Sequence, residues 1–359
     1  MAPASVADLG STSAAKPTVI VFDKFHPDAI EHARTLFNVI LNTDPEFRTA
    51  RENATGILIR GSWLRAADIA SYPKLRAIGK HGVGTDKIDA EACKKRCIAI
   101  LNTPGANSRA VAELVLALTM AVARQVTHIN TRQFNGEVVV KDKCLGLEMY
   151  GRTLGVVGMG NIGRTVARIF HGAFDAKIVV YDHNITKEKE SSWAHIPHQS
   201  VSDLDEVVAA ADVLTLHIPL TKTTRNLLSY ERLCRMKPEA ILINTARGGV
   251  INEQDLERVL REGRIWGVGL DCHEEEPPTR ERYSSLWDLE NVIHGRVSIC
   301  ITGYILPTGT ATEGTPTQNP LALRVIDASM KQTALSHRGR TVAPYFPTAS
   351  AETLLTHGS

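Results

Sequence analysis

Gly158, Gly160 and Gly163, spaced as Gly-x-Gly-x-x-Gly, directly follow the apolar run 154–157. Asp182 stands nineteen residues beyond Gly163, closing a second apolar run over 177–181. A strand entering such glycines, a helix leaving them and an acid ending the next strand together make a dinucleotide-binding arrangement. Gly158 allows the tight turn, Gly160 lets backbone N–H groups approach a pyrophosphate, and Gly163 lets helix and strand pack closely. The helix is supported by Ile162, Val166, Ile169 and Phe170, apolar at i, i+4, i+7 and i+8.

Three further segments carry chemistry. The first, Asn244-Thr245-Ala246-Arg247-Gly248-Gly249, follows an apolar run. Open α/β sheets bind ligands at strand carboxyl ends, and a guanidinium there can hold a carboxylate through two parallel hydrogen bonds. The second is Asp271-Cys272-His273-Glu274-Glu275-Glu276-Pro277. Asp271 ends an apolar strand and could reach a nicotinamide amide, and a glutamate of this run could orient a histidine and raise its pKa. The third, Gly79-Lys80-His81-Gly82-Val83-Gly84-Thr85-Asp86, offers backbone N–H groups as an anion nest, with Arg60 facing the same cleft. For Arg247, Lys80 and His81 the alternative is a solvated loop residue, and for the glutamates a solvated acidic loop.

The elements that must position these residues alternate. Apolar runs at 18–23, 39–41, 56–60, 75–79 and 98–101 read as strands, with helices around 28–37 and 86–95 between them. A long apolar-periodic helix over 107–124, bearing Val111, Leu114, Val115, Leu118 and Val122, follows the turn Thr103-Pro104-Gly105-Ala106, a hinge between two units. Strands then recur at 154–157, 177–182, 212–217, 240–244, 266–271 and 291–293, and a last helix at 321–332 returns toward the first unit. This pattern predicts two parallel α/β units, as does a length of 359 residues.

A net charge of +2 with interspersed acids and bases excludes a nucleic-acid patch, and no apolar run is long enough to span a bilayer. Residues 1–17 lack the features of a signal or transit peptide and read as a disordered tail, and the stretch beyond 336 reads as loose. The six scattered cysteines read as free thiols in a reducing compartment, which places the chain in the cytoplasm, and no spacing predicts a metal site.

Taken in order, these motifs resemble the D-isomer-specific 2-hydroxyacid dehydrogenase family. The resemblance runs from about Gly56 to Gln332. It rests on 81–86, on Asn102-Thr103-Pro104-Gly105-Ala106-Asn107 with Ala112-Glu113-Leu114, and on the glycine loop. It continues through His217-Ile218-Pro219-Leu220-Thr221, 244–250 and 271–277. The family implies a Rossmann dinucleotide-binding domain (106–320) inserted in a flavodoxin-like parallel α/β substrate domain (18–105 and 321–345). It implies hydride transfer between NAD and C2 of a small 2-hydroxy or 2-oxo acid, while a histidine exchanges the proton on oxygen. On this sequence Arg247 would bind the substrate carboxylate and Glu276 would pair with the histidine. Asp182 would hold the ribose hydroxyls and favour NAD over NADP. Gly158, Gly160, Asn161, Ile162, Gly163, His217, Pro219, Thr245 and Asp271 would line the cofactor cleft. Arg60, Lys80 and the Val83–Gly84 backbone would meet the substrate, and the first two suit a phosphorylated acid. Family members are usually homodimers, and the helix at 107–124 would fit such an interface.

The chain departs from the family where the histidine is expected. Instead of a Pro-His pair soon after strand 291–293, it carries a longer stretch, 294–308, with no Pro-His, and the family pattern resumes at Gly309. Three readings stand open. His294 substitutes, the loop belongs to a repurposed NAD-binding protein of corepressor-like type, or the stretch is an erroneous insertion such as translated intron.

Overall fold

The computed structural model describes residues 16–295, and within them the expected alternation folds as two parallel sheets. Thr18–Val21 (β1), Asn38–Leu41 (β2), Ala54–Ile59 (β3), Ala77–Lys80 (β4) and Ala99–Leu101 (β5) pair in the order β2-β1-β3-β4-β5. This is the flavodoxin-like order, whose switch point lies between the first and third strands. Pro27–Leu36 (α1), Ala66–Ala70 (α2) and Ala90–Lys95 (α3) link these strands. Apolar clusters fill both faces, one around Ile57, Ile59, Leu64 and Tyr72, the other around Val19, Val21, Phe37 and Leu58.

Ser108–Ala123 (α4) and Val126–Phe134 (α5) stand between the sheets in the chain and meet at a 60° bend. The break falls at Gln125, which takes φ 52 and cannot continue a helix. The second sheet contains Thr153–Val157 (β6), Lys177–Tyr181 (β7), Gln199–Ser200 (β8), Val213–Leu216 (β9), Ile241–Asn244 (β10), Gly267–Leu270 (β11) and Val292–His294 (β12). Its order is β12-β11-β10-β9-β6-β7-β8. Six of these strands follow the dinucleotide-binding order 3-2-1-4-5-6, and β12 extends the edge. The helices here are Asn161–Phe174 (α6), Lys187–Ser192 (α7), Leu204–Ala210 (α8), Tyr230–Leu233 (α9), Glu253–Arg261 (α10) and Arg280–Trp287 (α11).

Strands β9, β10 and β11 are buried at every residue, because helices cover both faces of a parallel sheet. One such cover is α4, whose Val111, Val115, Leu118 and Val122 are buried. Each such side chain contributes about 1.5–3 kcal/mol by leaving water. Gly269 admits the helix, since a Cβ there would stand 3.0 Å from Leu118 Cβ. Among the described residues no single helix is long and apolar enough to cross a membrane.

The expected helix at 86–95 is shorter. Asp89 caps it by accepting from Ala92 N, and Ile88 instead bridges to Leu64. Its carboxylate so placed satisfies a helix-start N–H and sets the boundary. His294, read as following the last strand, is its final residue. The tail over 1–15, the helix at 321–332, the returning segment 321–345, the loose stretch beyond 336 and Cys300 lie outside the described residues.

Gly155 lies in β6 against α8, and a Cβ there would come 2.7 Å from Ala211 Cβ and 3.0 Å from Val207 Cγ2. Gly155→Val therefore overpacks this layer and lowers stability by about 1–3 kcal/mol, read as a lower urea midpoint with unchanged slope.

Candidate functional site

Loops at the carboxyl ends of the two sheets meet where Arg247 reaches Asp86 and where Asn161, just past the glycines after β6, approaches Gly105. Gly158 adopts φ +96, and a Cβ on it would come 2.7 Å from His217 O. A residue other than glycine is excluded there twice, by backbone conformation and by contact. At Gly163 a Cβ would collide with Gly158 O, so α6 starts hard against the loop. Around Gly160, by contrast, nothing lies within 4 Å of such a Cβ. Open space at a helix N-terminus with no side chain in the way fits a pyrophosphate. Asp182 secures the turn, accepting from Met159 N at 2.8 Å and from Asn184 N at 2.9 Å.

The far side of this cleft is built from the ends of β9, β10 and β11. His217 donates its backbone N–H to Val157 O, and its ring lies 3.1 Å from Thr215 Oγ1. Pro219 O accepts from Thr224 Oγ1 and fixes the following turn. Thr245 Oγ1 is buried with no partner, a polar atom suited to a bound group. Asp271 follows β11 and donates its backbone N–H to Asn244 O. Ile162 packs beneath, on the cluster holding Val156 and Val166. Asn161 closes the inner edge, its Nδ2 lying 3.2 Å from a Cβ built at Gly105. The residues therefore fit a dinucleotide.

Arg247 reaches out of the turn after β10. Asn244, 2% exposed, shapes that turn by accepting from Ala246 N and donating to Arg247 O. The guanidinium donates through Nε at 3.1 Å and Nη2 at 2.9 Å to Asp86 Oδ1, and through Nη1 to Ala246 O. It also lies over Gly84, where any Cβ would strike it. Burial acts to raise the Asp86 pKa, but the charge and hydrogen bonds of Arg247, with the backbone N–H of Asp86 itself and Lys80, together hold that carboxyl below its ordinary value.

The loops at the carboxyl ends of the first sheet are organised from behind. At the switch point of the first sheet, Asp23 accepts from the backbone N–H groups of Arg60, Gly61 and Ser62 and from Ser62 Oγ. Lys80 is only 8% exposed, and its ammonium donates to the carbonyls of Arg60 and His81. Burial lowers its pKa to about 8. Val83 O accepts from Asn102 Nδ2 at 2.6 Å, tying the loop to β5's end.

Glu276 lies exposed in the loop after β11. That loop is anchored by Glu274 N on Glu253, Glu275 N on the Tyr283 hydroxyl, and Arg225 on Glu274. His273, 3% exposed, accepts from Trp287 Nε1 at 3.0 Å. His294 stacks on a face of the same indole, with ring centroids 4.0 Å apart and an interplanar angle of 2°. The structure thus brings Arg247 to Gly84 and Asp86, turns the Lys80 ammonium inward onto carbonyls, and places His294 in an aromatic stack. Asp23 and Trp287 escape a reading of the sequence, which names Asp86 and His273 within their motifs but gives them no role of their own. An acid after the first strand and an acid closing the 81–86 motif were the available signals for Asp23 and Asp86.

Residues 116–295 match the D-isomer specific 2-hydroxyacid dehydrogenase NAD binding domain. The chain is 38% identical over 279 residues to D-3-phosphoglycerate dehydrogenase of Methanocaldococcus jannaschii, covering 77% of this chain and 52% of that one. It is 38% identical to hydroxypyruvate reductase of Thermotoga maritima, covering 66% of this chain and 75% of that protein. The crystal structure of D-lactate dehydrogenase from Aquifex aeolicus, complexed with NAD and lactic acid, superposes with a TM-score of 0.69 at 25% identity, covering 88% and 92%. The chain belongs to the D-isomer-specific 2-hydroxyacid dehydrogenase family and carries its nicotinamide-cofactor-binding domain. It spans about half the length of the phosphoglycerate dehydrogenase it matches.

Burial holds His81 near pKa 4, His217 near 3 and His273 near 4, so all three are neutral in the folded chain. Unfolded histidine titrates near 6.5, so between there and about 4 the unfolded chain binds more protons. Stability is therefore full above about pH 6.5 and falls as pH drops through this window. Urea midpoints between pH 7 and 4 check this, and His217→Leu makes their decline shallower.

Proposed function

We propose that this chain is an NAD-dependent oxidoreductase acting on a small 2-hydroxy or 2-oxo acid. The observation that carries this reading is Arg247, brought from the end of β10 to Gly84 and Asp86 of the loop after β4. Nicotinamide, when bound, supplies or accepts the hydride at its C4. Arg247 binds the substrate carboxylate and polarises the adjacent carbonyl, and the Val83–Gly84 backbone and Arg60 close the opposite wall. Lys80 contributes its charge from behind that wall, since its ammonium already holds two carbonyls. This positive surround supports a substrate with a second anionic group, such as a phosphate. Asp182, at the end of β7, selects ribose hydroxyls over a 2′-phosphate and so NAD over NADP.

Glu276 would pair with the acid–base group. His294 is the candidate carried by the sequence, and that role requires it to leave the stack on Trp287. A second reading, a non-catalytic NAD-binding interaction protein of the same fold, is favoured by one observation. The stretch 294–308 contains no Pro-His.

For assembly we propose a homodimer. The apolar face of α4 packs inward, but Phe134, Val138, Val140, Leu145 and Tyr150 after it are exposed, Phe134 by 89%. Such a run of exposed apolar residues supports an interface with a second copy. The five cysteines among the described residues are free thiols, which fits a cytoplasmic setting.

NADH oxidation with glyoxylate, hydroxypyruvate, pyruvate and 3-phosphohydroxypyruvate tests the activity. Turnover is expected with at least one, and Arg247→Ala raises its KM about a hundredfold through loss of the charged hydrogen bonds. No turnover with any 2-oxo acid rejects the enzyme reading for this chain. Asp182→Ala is expected to weaken NADH more than NADPH in a fluorescence titration. Replacing 294–308 by a short loop bearing Pro-His should raise turnover by roughly 10²–10⁴, the usual contribution of a positioned acid–base group. A gain of that size removes the support for the non-catalytic reading.

A further inference from the structure

We propose that Asp86 is a positioning residue for Arg247, fixing the guanidinium so that one edge stays presented to a substrate carboxylate. This deepens, and rests on, the reading of Arg247 as the carboxylate-binding group.

A guanidinium has two edges that can take a carboxylate side by side, Nε with Nη2 and Nη1 with Nη2. Here the first edge is occupied. Both Nε and Nη2 donate to Asp86 Oδ1, at 3.1 and 2.9 Å. Nη1 donates one hydrogen to Ala246 O, its own neighbour in the turn. Two anchors on different sides of the planar group, one from each sheet, determine the rotation of the plane. They leave one N–H on Nη1 and one on Nη2, which together form the second edge. Gly84 completes the seat, since any side chain there would displace the guanidinium.

Asp86 is itself held for this task. It lies in the turn between β4 and α3, whose backbone is pinned where Ile88 bridges Leu64 and Asp89 caps the helix. Lys80 and Arg247 both favour its ionised form against the opposing effect of burial. The charged partner on Arg247 therefore comes from the first sheet, and the geometry of carboxylate capture depends on the two sheets standing together.

The alternative role for the same contact is competition. A carboxylate on a carboxylate-binding arginine can also act as a stand-in that the substrate must expel. The two roles predict opposite effects of neutralising Asp86, so one measurement separates them.

The test uses the full chain with NADH bound and oxamate as the probe, a molecule with one carboxylate beside one carbonyl. NADH affinity and oxamate affinity are measured by fluorescence titration for the unsubstituted chain, Asp86→Asn and Asp86→Glu. The expected result is unchanged NADH affinity in both variants. Oxamate should bind about tenfold more weakly to Asp86→Asn, with a smaller loss in Asp86→Glu, which keeps the charge. Equal or tighter oxamate binding by Asp86→Asn overturns the proposal, the tighter result making Asp86 a competitor. Parallel loss of NADH affinity in both variants also overturns it, as general damage to the cleft. If the unsubstituted chain binds NADH but no oxamate, the reading of Arg247 fails and takes this inference with it.

Discussion

The cleft depends on one side chain crossing it. Arg247 leaves the second sheet and lies over Gly84 against Asp86 of the first, and the loops on both sides are shaped around that reach. Asn244 sets the turn from which it departs, and a Cβ at Gly248 would collide with the His273 carbonyl of the neighbouring loop. The ion pair itself is a weak fastener. Its partners are 40% and 45% exposed, and such pairs contribute about 0–1 kcal/mol. Its importance is directional, because it decides where the guanidinium points. The sheets themselves are held by apolar layers that do not involve it.

The same division between packing and pointing runs through the molecule. Buried strands such as β9 and β10 fix where the chain ends its apolar runs, and the polar groups come immediately after. Asp182 comes after β7, Thr245 after β10, and Asp271 after β11. Each acts from a strand end because the parallel sheet places all such ends on one side. Rigid strands thus position the groups, while loops determine what the groups touch.

This explains which features could be read from the sequence. The parallel α/β alternation follows from apolar runs spaced by helices, and the glycine loop announces itself by spacing. Gly158 needs both a positive φ and the approach of His217 O, so its type records its geometry. Long-range polar pairing leaves no such mark. Asp86 and Arg247 are 161 residues apart, and nothing in either local pattern names the other. Asp23 was likewise hidden, since one carboxylate holding three backbone N–H groups thirty-seven and more residues away has no local spacing. Lys80 looked like a ligand-facing cation, but its ammonium turns inward onto carbonyls. Burial of a charged head is a property of the fold, and a lysine's long stem permits either placement.

His294 shows the same limit in the acid–base machinery. Binding a dinucleotide and a carboxylate requires groups at strand ends, and the sheets supply those independently of the chain beyond β12. Proton exchange, on the proposed function, needs a further side chain brought back into the cleft after the last strand. In this chain the residue at that point belongs to β12 and lies flat on Trp287, whose indole N–H is in turn held by His273. The stack is stabilised by contact on a whole ring face, so among the described residues this histidine is fixed by packing. On the proposed function, cofactor and carboxylate capture are therefore separable from proton transfer. The first two arise from the two sheets, and the third depends on how the segment after β12 is built.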